Sequence, residues 1–277
     1  MSYSIEYNGF TMDSSSHFHI HKIEGLSGAE VRVSKDYKTG GHGGNIWNTL
    51  YGFRDISIEG TINAPTINEF FADRQSLINA FSINTDNQLG ITLWDDNKVY
   101  LINAKVVSPV MITDESGKVT TTDFRIELQS GEAFLSGDTT QSYDLGLASG
   151  GGTPLPSPVP SPVGRGIGGE VVAVNGGSVV TYPAFTFTGV VINPTIANTR
   201  TGQSFTVNTS LGLGDILVVD YTTTGQVVTK NGVSIVASFS GVPVYLQFGN
   251  NNIIFNASNT SESANCNISF YEKYLGI

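Results

Sequence analysis

The sequence predicts a mainly β protein in two domains: an N-terminal β-sandwich or barrel-like domain carrying one amphipathic helix, and a C-terminal antiparallel β-sandwich of jelly-roll type. Three observations predict it. Short runs of alternating apolar and polar residues recur along most of the chain, separated by Gly, Asn, Asp and Ser, which is how strands and their turns read. Only one segment has a helical period. Charged residues make up 14% of the 277, well below the usual quarter, and the residues that replace them favour turns and strands over long helices.

In the first domain the opening strand candidate is His17-Phe18-His19-Ile20-His21, three of the four histidines at every second position. A strand would put His17, His19 and His21 on one side and Phe18 and Ile20 on the other. Zinc needs three or four converging ligands, and a flat row with a spacing of about 7 Å does not converge by itself. No bound metal is therefore expected, with His17, His19 and His21 kept as weak candidates and a solvent-facing or interface strand preferred. Next come VRVSKDY, a glycine-rich GGHGG around His42, and RDISIEGTI. PTINEFFADRQSLINAF then places Ile67, Phe70, Phe71, Leu77, Ile78 and Phe81 on a helical stripe expected to pack on the sheet. Thr66 and Glu69 form a capping box after Pro65. WDDNKVY and TDESGKVT read as hairpins, with Asp95 and Asp96 as turn formers.

The domain boundary is a run from Ala148 to Gly169 in which Pro154, Pro156, Pro158, Pro160 and Pro162 are half of the prolines. Fixed φ angles predict a stiff polyproline II rod between glycine joints. The domains are thus expected at 1–148 and 170–277, with 149–169 as linker. The second domain has no convincing helix, only short evenly spaced strands, and Asn231-Gly232 is a strong hairpin signal.

Composition excludes several function classes. The opening MSYSIEYNGF lacks a basic region followed by an apolar run, so no secretory leader is expected. No apolar stretch is long enough for a membrane span. One cysteine, Cys266, allows no internal disulfide and reads as a small buried apolar residue. Residues 1–148 carry 10 Lys and Arg against 19 Asp and Glu, a net −9 of the chain's −10. Such a surface does not hold nucleic acid, though DNA could slide past it. No nucleophile elbow, P-loop, HExxH or CxxC framework is present, so no enzyme and no cofactor is expected. Sugar binding by the second domain would have to use Tyr182, Tyr221, Tyr245 or another tyrosine, because Trp47 and Trp94 both lie in the first domain.

The order and spacing of several motifs together resemble one family. They are I-x-x-I-E-G-L-S-G-x-x-V-R-V from Ile20, G-G-H-G-G-N-I-W from Gly40, Y-G-F-R-D-I-S-I-E-G-T-I from Tyr51 and F-F-x-x-R-x-x-L from Phe70. The second domain adds T-G-x-x-x-N-P-x-I-x-N from Thr188, G-D-x-L-x-x-D from Gly214 and G-x-N-x-I-x-F from Gly249. The chain resembles the distal tail (Dit) proteins of long-tailed, non-contractile bacteriophages, whose second domain is galectin-like. The resemblance implies a structural hub at the virion tail tip, made in the host bacterial cytoplasm. It would form a homohexameric ring whose N-terminal domains line a channel for the tape measure and DNA in transit. Tail tube, tail-associated and possible receptor-binding proteins would be its partners, with no membrane. Gly43, Gly44, Trp47, Tyr51 and Arg54 are the expected assembly residues. The segment from Lys35 to Asn48 either reaches the next subunit as an arm or closes as an ordinary loop with Trp47 in its own core. The alternative function is a carbohydrate-binding or adhesin protein working through the C-terminal sandwich.

Overall fold

The computed structural model describes residues 3–83, 86–93, 98–113, 120–147, 169–222, 225–258 and 264–277. The turns expected at Asp95-Asp96 and at 114–119, and the proline-rich run, lie outside the described residues. The fold is mainly β, in two compact units: Met1–Asp138 with Lys273–Ile277, and Thr139–Glu272.

The first unit contains β1 (Tyr3–Tyr7), β2 (Phe10–Met12), β3 (Phe18–Glu24), β4 (Val31–Tyr37), β5 (Gly44–Tyr51) and β6 (Arg54–Asn63). Helix α1 (Ile67–Ala80), β7 (Asp86–Leu93), β8 (Val99–Val106), β9 (Met111–Thr113) and β10 (Thr121–Ser130) follow, and β11 (Leu135–Gly146) starts in this unit. One antiparallel layer runs β2-β1-β7-β8-β11 and a second is built from β3, β6, β10 and β9. The layers join where Leu128 and Gln129 of β10 meet Val106 and Lys105 of β8, so the sandwich is part-way to a barrel. Strict alternation drives this. In β10, Phe124, Ile126 and Leu128 point inward, and Asp123, Arg125 and Glu127 outward, a pattern that fixes register because a one-residue slip would invert it.

Helix α1 starts where its capping box requires. Thr66 Oγ1 accepts from the Glu69 amide and donates to Glu69 Oε2 at 2.7 Å. The expected apolar stripe, however, divides. Phe70, Leu77 and Phe81 are buried, and Phe81 stacks on Tyr7 with ring centres 4.9 Å apart. Ile67, Phe71 and Ile78 are exposed, at 48%, 59% and 40%. At 100° per residue these three lie within about 40° of one another, on a second face the sheet does not reach.

The second unit is a two-layer antiparallel sandwich. Its strands are β12 (Gly169–Asn175), β13 (Ala184–Thr188), β14 (Val191–Ile192), β15 (Thr195–Asn198), β16 (Gln203–Val207) and β17 (Ser210–Leu211). After these come β18 (Ile216–Thr222), β19 (Gly225–Lys230), β20 (Val233–Ser234), β21 (Phe239–Gly241), β22 (Gly249–Asn256) and β23 (Asn265–Tyr274), whose last two residues belong to the first unit. One layer is β23-β13-β18-β19-β20 and the other β12-β22-β15-β16-β21. Phe185 and Phe187 of β13 meet Phe205 and Phe255 of the facing layer at 5.2 and 5.5 Å. Asn231 and Gly232, at φ +50° and +80°, make the expected two-residue hairpin turn between β19 and β20. Cys266 is fully buried in this core, and burial pushes its thiol well above the ordinary range.

Candidate assembly surface

The segment from Val31 to Tyr51 is a hairpin unlike the others. Among the described residues strands β4 and β5 pair only with each other, and every residue from Glu30 to Tyr51 is exposed. At its root, the Glu30 amide donates to Phe53 O and the Gly52 amide to Glu30 O. At its tip Gly43 has φ +86°. A side chain on Gly44 would stand 2.2 Å from the Asp36 carbonyl, so the turn and the strand approach beside it need glycine. One face carries Val31, Val33, Tyr37, Ile46 and Tyr51, and a register shift falls between Ser34 and Lys35. Trp47 is 68% exposed, its indole N–H donating to Asp36 Oδ2 at 2.8 Å. Trp47 therefore does not sit in its own core.

Tyr51 keeps 44% exposure and meets Phe134 edge-to-face at 5.5 Å. Arg54 departs from expectation. It is fully buried and unavailable to a neighbouring subunit. Its guanidinium donates to the carbonyls of Gly25, Leu26, Ala133 and Leu275, at 2.5, 3.4, 2.7 and 2.5 Å. Burial lowers its pKa, and carbonyl dipoles satisfy it in place of a carboxylate. The sequence shows an arginine at the start of a strand; only the fold shows that three separate loops converge there.

The histidines do not converge. His17 Nδ1 lies 2.6 Å from Asp73 Oδ2 of α1. His21 Nε2 donates to Thr61 Oγ1, which donates to Asp123 Oδ1, both at 2.6 Å. A register shift between Ile20 and Lys22 interrupts the row. His42 stands apart at the exposed hairpin tip. Among the described residues no three His, Cys, Asp or Glu side chains gather as a metal site would require. No described helix is long and apolar enough to cross a membrane.

In the second unit the motif residues Asn198 and Asn251 join Asn175 in holding the fold. Asn175, Asn198 and Asn251 are completely buried. Asn251 receives the Gln247 amide and donates to the carbonyls of Gln247 and Gly249. Asn198 donates to Asn251 Oδ1 and to Tyr245 O. Asn175 donates to the carbonyls of Val179 and Leu246. The three amides thus satisfy an irregular segment, 245–249, that has few ladder partners of its own. Tyr182 sits between Tyr221 and Tyr245, its ring tilted by 56° and 69° to theirs, and it keeps 48% exposure.

The comparisons follow the same division. Residues 176–274 match the family described as the siphovirus-type tail component, C-terminal domain. Over 99% of both chains the fold superposes on the Dit protein of phage SPP1, described as a paradigm of the hub of the adsorption apparatus in phages infecting Gram-positive bacteria, with a TM-score of 0.67 and 14% identity. A chain of the phage P2 baseplate in its activated conformation aligns over 97% of both chains, at a TM-score of 0.48 and 9% identity. No curated protein matches the sequence. The family match is confined to the second unit, and the whole-chain likeness is one of fold.

Proposed function

We propose that this chain is the distal hub of a long, non-contractile phage tail. Six copies close into a ring that joins the tail tube to baseplate or receptor-binding components. The ring leaves a channel for the tape measure and then DNA. The observation that carries this reading is the β4–β5 hairpin: an apolar arm exposed along its whole length, on a chain with a tail-hub fold. A two-stranded ribbon without a supporting layer is marginal in water, and about 20 residues with exposed Trp, Tyr, Ile, Val and Leu are the composition of an interface. A neighbouring subunit supplies the missing support. The net −9 of residues 1–148 suits a passage that must not retain phosphate. Structural tail proteins act by assembly, and the Asn and Arg clusters described above are occupied in holding the fold.

Negative-stain electron microscopy with solution mass tests the reading. The purified, concentrated protein is expected to show six-fold rings with a central hole, and Trp47→Ala to remain a folded monomer. A Trp47→Ala chain that forms rings at the wild-type concentration would remove the arm from the reading.

A further inference from the structure

We propose that the exposed stripe on α1, Ile67, Phe71 and Ile78, is the seat that receives the β4–β5 hairpin of a second copy. This rests on the ring reading and adds to it which surface the arm meets. The first unit exposes these two extended apolar features on separate elements. The hairpin shows Val31, Val33, Tyr37, Ile46 and Trp47 at 44–77% exposure, and the stripe is 40–59% exposed. A ring requires a head-to-tail contact between two different surfaces of the same chain, because a contact between two like surfaces closes as a dimer.

Charge decides against the hairpin pairing with itself. Arg32, Lys35 and Lys38 against Asp36 give residues 31–51 a net +2, while residues 1–148 as a whole carry −9; the remainder is therefore −11. Two hairpins face to face would oppose their cations. A hairpin laid on the rest of another copy brings opposite charges together, which favours encounter in that orientation. The stripe itself is bordered along one side by Asn68 and Gln75, and Arg74 within it is partly buried and already engaged in its own chain. Phe71, the most exposed aromatic on the helix, offers an anchor for Trp47 or Tyr37 of the kind that dominates interfaces.

The test uses two full-length variants, Phe71→Asp and Trp47→Asp, each checked for an unchanged unfolding midpoint, with Val172→Asp in the second unit as a control. Sedimentation mass is the readout. Each variant alone is expected to be monomeric, the control to form rings, and an equimolar mixture to give dimers, since the intact hairpin of one chain meets the intact helix of the other and cannot extend further. Rings from Phe71→Asp with none from Trp47→Asp would overturn the helix seat while leaving the ring standing. So would a mixture that stays monomeric. A wild-type chain that stays monomeric when concentrated would overturn the ring and the seat together.

Discussion

Two hairpins in this molecule have similar local chemistry and opposite surroundings. In β18–β19, Leu217, Val219 and Val228 are fully buried and the ribbon is part of one layer of a sandwich. In β4–β5, Val31, Val33 and Ile46 occupy comparable places, yet all are exposed and, among the described residues, no third strand pairs with either member. Alternation thus shows that a strand has an apolar side, not whether that side is covered by its own chain or by another. The first ribbon is covered by its own chain, and the proposed ring would cover the second with a neighbour's.

The largest expected effect is at the root of the exposed ribbon. Arg54→Ala leaves four inward carbonyls without their donor, and breaking a buried charged site of this kind costs about 3–5 kcal/mol. Urea unfolding should therefore report a destabilised monomer, not merely lost assembly; a normal unfolding midpoint would mean that water replaces the guanidinium. Next, Leu217→Ala should lower the unfolding free energy by about 2–5 kcal/mol, while Trp47→Ala stays within about 0.5 kcal/mol of wild type as a monomer. Equal losses would erase the distinction between the ribbons.

The smallest effect sharpens the buried ribbon's side. Asp215 accepts from the Gly212 amide, from Asn231 Nδ2 and from Lys230. These bonds, the Gly212 amide foremost, hold its carboxyl well below the usual range. A depressed carboxylate stabilises the fold above its unfolded pKa, near 4, and loses that contribution as pH falls. The gap in unfolding midpoint between wild type and Asp215→Asn should accordingly narrow from pH 7 to pH 3. A gap independent of pH would assign the role to geometry alone.

Much of this was legible in the sequence because it is local. Thr66 and Glu69 mark the helix start, Asn231-Gly232 the turn, and two-residue alternation the strands. What was not legible is what depends on partners distant in sequence. Phe71 and Phe70 are adjacent phenylalanines, and nothing local tells which of them the sheet covers. Arg54 meets Leu275, 221 residues away, and the return of Lys273–Ile277 to the first unit leaves no periodic trace. Asn198 and Asn251 stood out as a pattern, but their pairing across 53 residues needed the fold. Trp47 was readable as an anchor or as core, and only its 68% exposure separates the two.

Cys266 has a practical consequence. As the only thiol in the sequence, wholly enclosed and with its ionisation suppressed, it is silent toward alkylating dyes and spin labels while the protein is folded. A reporter group can therefore be attached at a single chosen surface position, such as Ile46→Cys at the hairpin, without first removing any native sulfur. The molecule comes already prepared for testing whether the hairpin engages a second copy.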